Sequence, residues 1–103
     1  MRFLALEKLI NLRDGYRRRF KVDSLDVLLL QEQGELHIIQ RDCPHRSHPL
    51  DRADVRDGAI YCTAHQFGFN LRSGQSVNNP CPALKVYTPV YEGTEVGVVV
   101  ADS

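Results

Sequence analysis

Cys43-Pro44-His45 and Cys62-Thr63-Ala64-His65, set sixteen residues apart, decide how this chain of 103 residues is read. Thiolate and neutral imidazole are the side-chain ligands of soft and borderline metals. Each Cys-His pair is short enough to sit on one loop, as C-x-H in the first case and C-x-x-H in the second. Two such loops can close on one metal centre from opposite sides. Cys43, His45, Cys62 and His65 are therefore the candidate ligands.

The spacing resembles that of the Rieske iron–sulfur family, and the likeness extends beyond the ligands. Pro44 follows the first Cys, Leu50 holds the apolar position after the first box, and Phe69 is the aromatic after the second. Asn70-Leu71-Arg72-Ser73-Gly74 is similar to the family's turn behind the second box, and Pro80-Cys81-Pro82 to its proline-rich third loop. The resemblance implies a [2Fe–2S] cluster, with Cys43 and Cys62 on one iron and His45 and His65 on the other. It also implies an all-β Rieske fold, an antiparallel sandwich with a small cluster-binding subdomain. The ligand loops then fall at about 42–50 and 61–69, and the proline loop at about 78–83. A structural zinc site is the competing reading of two Cys and two His. Zinc fingers, however, pair like with like as C-x₂₋₄-C and H-x₃₋₅-H, whereas each loop here carries one of each.

Composition sets the outer bounds. The length suits one domain over residues 1–103, and 43% hydrophobic with 25% charged residues is ordinary for a soluble globular protein. A net charge of zero argues against a dedicated nucleic-acid or membrane-surface binder. With two of the three cysteines read as ligands, only Cys81 remains and no disulfide framework can be built. The first residues lack the apolar core of an export signal, and no window approaches a membrane span. The cytoplasm is the expected location.

Along the chain, short apolar runs and tight turns predict β-structure throughout. Phe3–Leu6 reads as an edge strand, Glu7–Asp14 as a helical turn stopped by Gly15, and Tyr16–Val22 as a strand. Leu25–Gln31 is apolar enough to be a buried strand, and Glu35–Gln40 follows across Gln33-Gly34 with His37 pointing outward. Asp57-Gly58 is a turn into a short strand, Ala59–Cys62. Phe67–Leu71 and Gln75–Val77 predict a hairpin about Ser73-Gly74. Leu84–Tyr91 and Glu95–Ala101 predict a last pair. Arg17, Arg18 and Arg19 alternate faces and read as a solvated surface, His48 as a solvated loop histidine, and Cys81 as a small buried hydrophobe.

The resemblance also carries expectations about chemistry. High-potential relatives add a Cys to each box, joined as a disulfide, and the matching positions here are His48 and Ala64. They place Ser and Tyr hydroxyls where this chain has Phe67 and Phe69, so a low potential is expected. Imidazole ligation places such centres at about −150 to +300 mV, against about −400 mV for plant-type ferredoxins. Ser47 and Gln66 stand where glycines are usual, which bears on loop geometry. Arg46 is the basic residue expected nearest a partner. The implied function is a soluble one-electron carrier, not an enzyme, passing electrons from a flavoprotein reductase to a terminal oxygenase. The alternatives are the small Rieske-type subunit of a larger reductase, such as a nitrite reductase, and a zinc interaction module.

Overall fold

The computed structural model describes residues 1–44, 48–63, 66–78 and 80–100. Its strands are β1 (Arg2–Lys8), β2 (Arg17–Val22), β3 (Leu25–Glu32), β4 (Glu35–Gln40), β5 (Asp54–Arg56), β6 (Ala59–Tyr61), β7 (Gly68–Asn70), β8 (Val86–Tyr87), β9 (Val90–Glu92) and β10 (Glu95–Val100). They form three antiparallel sheets, ordered β1-β10-β9, β2-β3-β4-β8 and β5-β6-β7. The all-β, antiparallel expectation holds.

The apolar run of β3 explains the layering. Val27 and Leu29 point to one side with Ile38 of β4, and meet Val98 of β10 together with Leu4, Leu6 and Phe20. Leu28 and Leu30 point to the other side with Ile39. There they meet Ile60 of β6, Phe69 of β7, and the loop residues Cys43, Leu50, Cys62 and Leu84. The β2-β3-β4-β8 sheet is thus a middle layer with a core on each face, and β3 has no wet face over Val27–Leu30. Uninterrupted apolar sequence is what a strand covered on both sides requires.

His37 corrects an expectation for the same reason. It lies opposite Leu30 across the β3–β4 ladder, so it faces the second core and is only 8% exposed. The alternation was read as one dry face and one wet one, but both faces of β4 are covered. The helical turn also contracts. β1 runs on to Lys8 and only Leu9–Asn11 forms a 3₁₀ turn, because Leu9 donates its N–H to Thr94 O and follows β10. The run Leu84–Tyr91 divides into β8, which pairs with β4, and β9, which pairs with β10. In the predicted Ser73-Gly74 hairpin, the return strand is reduced to one bridge, Phe69 to Ser76.

Glu7 ties the first sheet to the middle one. Just past a bulge in β1, its carboxylate accepts from Tyr16 Oη at 2.6 Å, Asn11 Nδ2 at 2.9 Å and the Lys8 N–H at 2.7 Å. Those bonds, Tyr16's foremost, hold the Glu7 carboxyl down at about 2. Burial and the same bond push the Tyr16 phenol up to about 12.

Burial of His37 has a measurable consequence. Desolvation lowers its pKa below the ordinary 6.5, with Glu35 opposing at 3.5 Å and Arg72 assisting. Between the folded value and 6.5 the unfolded chain binds more protons than the folded one. The contribution is therefore full above 6.5 and is lost as pH falls through that window. Urea unfolding from pH 7 to 5 should show stability falling by up to about 1.4 kcal/mol per pH unit from this group. His37→Leu should flatten that part of the profile.

Candidate cluster-binding site

Two loops of matched construction carry the candidate thiols. The Cys43 N–H donates to His48 O at 2.8 Å, and the Cys62 N–H donates to Phe67 O at 2.9 Å. Each bond closes a loop of the same span, with the cysteine at its base. Both thiols are 1% exposed, neither is in a disulfide, and both belong to the core that contains Ile39, Leu50, Ile60 and Phe69. The inner end of the site is therefore dry and lined by sulfur. His45 and His65, the expected outer ligands, lie outside the described residues, as do Arg46, Ser47 and Ala64. Two thiols outside any disulfide, both in one apolar core, fit the inner half of a [2Fe–2S] site.

The strands aim these loops. β4 runs through Gln40 into the first loop and β6 through Tyr61 into the second, and both cysteines join one core. A cleft of about 420 Å³ is lined by Glu32, Glu35, His37, Asp57 and Arg72, and neither thiol lines it. Arg72 closes part of its rim through a two-pronged bond to Glu35, at 2.8 and 2.6 Å.

Side chains brace each loop from behind. Arg41 Nε donates to Asp51 Oδ1 at 2.6 Å, and Arg17 Nη1 donates to the carbonyls of Asp51 and Ala53 at 3.2 and 2.6 Å. Arg17 was expected on a solvated face; instead it fastens the chain that returns from the first loop. Gln40 donates to Asp42 O and accepts from the Lys85 N–H, each at 2.6 Å, which joins the first loop to the end of the third. His48 Nε2 lies 3.2 Å from Thr63 Oγ1. A hydrogen bond thus crosses between the loops at His48, one of the two positions matched to the disulfide of high-potential relatives.

The second loop carries its own strain and its own clamp. Gln66 has φ +57°, the left-handed conformation that the usual glycine adopts freely. For glutamine that conformation costs about 1–2 kcal/mol. Its N–H donates to Cys62 O at 2.8 Å, closing the turn. Asn78 then accepts from the Gly68 N–H at 3.0 Å and donates to Gln66 O at 2.8 Å. Cys81 is half-buried against the core that holds both thiols. Asn78, Gln40 and Arg17 are the supporting residues that sequence reading missed. The one local signal was Asn78 itself, since asparagine in a turn commonly bonds nearby backbone.

Comparison with known proteins agrees with this geometry. The sequence matches the Rieske [2Fe-2S] domain over residues 3–89, and the chain belongs to that family. Its cofactor is accordingly a [2Fe–2S] cluster. Among curated relatives, the ferredoxin component of the alkene monooxygenase system of Xanthobacter autotrophicus (strain ATCC BAA-1158 / Py2) is 32% identical over 84 residues. That alignment covers 81% of this chain and 69% of the relative. The ferredoxin component of biphenyl 2,3-dioxygenase from Rhodococcus jostii (strain RHA1) is 28% identical over 97 residues, covering 90% and 91%. Of solved structures, the ferredoxin of carbazole 1,9a-dioxygenase from Nocardioides aromaticivorans IC177 superposes with a TM-score of 0.80 at 26% identity, over 93% of this chain and 95% of that one.

Proposed function

We propose that this protein is a one-electron carrier that takes electrons from a flavoprotein reductase and delivers them to a terminal oxygenase. The observation that carries the reading is the pair of matched loops whose buried thiols, Cys43 and Cys62, share one apolar core. Cys43 and Cys62 hold one iron and His45 and His65 the other. The loops span about 42–50 and 61–69, the proline loop covers about 78–83, and residues 1–103 act as one domain. The bound cluster supplies one electron at a time. The chain's own residues exclude water from the sulfur end, through Leu50, Ile60 and Phe69, and hold the loops in register through His48 and Thr63. The two ferredoxin relatives, each named as a component of an oxygenase system, support the choice of acceptor.

The potential is low for the family. Phe69 is fully buried beside the thiols and Phe67 packs on the same core, and neither side chain has a hydroxyl to donate to a sulfur. Negative charge on the reduced centre is then less stabilised than in high-potential relatives. A redox titration should give a midpoint near the lower end of the family range, about −150 mV. A midpoint well above zero defeats this part of the reading.

No described helix is long and apolar enough to cross a membrane. The cysteines, none of them in a disulfide, suit the reducing conditions of the cytoplasm, where we place the protein. Electron paramagnetic resonance of the dithionite-reduced protein, with iron and acid-labile sulfide analysis, tests the whole proposal. Mixed Cys/His ligation should lower the average g value below that of an all-Cys centre. Zinc without sulfide would establish a structural site instead.

A further inference from the structure

We infer that Asn78 is a positioning residue for the second ligand loop: its carboxamide holds Gln66, the residue that follows His65 in sequence, in the left-handed conformation. The inference rests on the ligand reading above and goes beyond it, because Asn78 is not a ligand. Gln66 pays a conformational cost that glycine would not, and it is exposed, so side-chain burial does not compensate. What remains is backbone bonding. The Gln66 N–H is taken by Cys62 O, and Gln66 O is taken by Asn78 Nδ2.

The other end of the same carboxamide accepts the Gly68 N–H, while the Val77 N–H donates to Gly68 O at 2.9 Å. Asn78 therefore grips the chain on both sides of Phe67. Its own backbone is set by the adjoining Val77 bond and leads directly into the proline loop. One amide thereby couples the second ligand loop to the third. A carboxylate could keep the bond from Gly68 but would turn an oxygen toward Gln66 O. The donor half of the amide is what distinguishes asparagine at this place.

The test uses the cluster-loaded protein and its Asn78→Ala, Asn78→Asp, Gln66→Gly and Gln66→Gly/Asn78→Ala variants. Each is followed for loss of visible absorbance under excess chelator and for the g values of the reduced form. Asn78→Ala should lose its cluster about 10–100-fold faster than the parent, as expected for residues that orient metal ligands, with shifted g values. Asn78→Asp should be no better, because the bond to Gln66 O is lost. The double variant should return to within about threefold of the parent, since glycine holds the left-handed turn unaided.

Rescue is the outcome that general loosening of the fold does not produce. Unchanged g values with loss rates within about threefold in both Asn78 variants would overturn the inference. So would failure of Gln66→Gly to rescue Asn78→Ala, including a double variant that does not fold. Absence of iron and sulfide from the parent protein would instead remove the ligand reading, and this inference with it.

Discussion

A Cys62→Ala variant should emerge without the visible absorbance of the parent and with its iron content reduced to about a hundredth or less. Residues that merely orient ligands cost about 10–100-fold in metal affinity, and removal of a ligand costs more. Cys62 is 1% exposed, and its loop is closed by bonds from both its own N–H and its own carbonyl. The apo chain should also be less stable, because a cofactor bound only by the folded state adds its binding energy to folding. Cys81→Ala is the matched control. That residue is half-buried on the third loop and was read as packing, so iron content should match the parent. Retention of the cluster in Cys62→Ala, or its loss in Cys81→Ala, would reassign the ligands.

Gly74→Ala should be among the most damaging substitutions outside the ligands, at about 4 kcal/mol, out of a total of about 5–15 kcal/mol for a domain of this kind. Gly74 has φ +80°, and a Cβ built there would lie 2.0 Å from the Leu84 carbonyl oxygen. That oxygen cannot retreat cheaply. The Leu84 N–H donates to Gly74 O at 2.7 Å, and the Gly74 N–H donates to Asn70 O at 2.7 Å. The left-handed conformation accounts for about 1–2 kcal/mol, and prising the end of the proline loop off the β7 turn accounts for the rest. Gly34→Ala isolates the first part, for Gly34 has φ +75° with open space where the Cβ would go. It should cost only about 1 kcal/mol. Urea midpoints of the two variants, compared at equal denaturant slope, check the difference.

The ligand loops were legible because metal chemistry restricts residue type and spacing together, and two short Cys-His pairs leave few readings. β3 was legible because only burial explains four consecutive apolar residues from Val27 to Leu30. His37 was misread for want of tertiary knowledge. A strand alternating Leu36, His37, Ile38, Ile39 does not state whether its second face is covered, and here the β5-β6-β7 layer and its loops cover it. The pairing of β1 with β10 was equally invisible, since it joins the two ends of the chain. Asn78, Gln40 and Arg17 act on partners whose positions depend on the folded chain, and Arg17 reaches carbonyls more than thirty residues away. Side chains that serve distant backbone leave no period and no motif.

The β3–β4 hairpin contributes to the packing of both hydrophobic layers at once. Prising it from either neighbour bares greasy surface on a strand that has none to spare. The molecule is thereby built to come apart all together, with no partly melted form of this scaffold within easy reach.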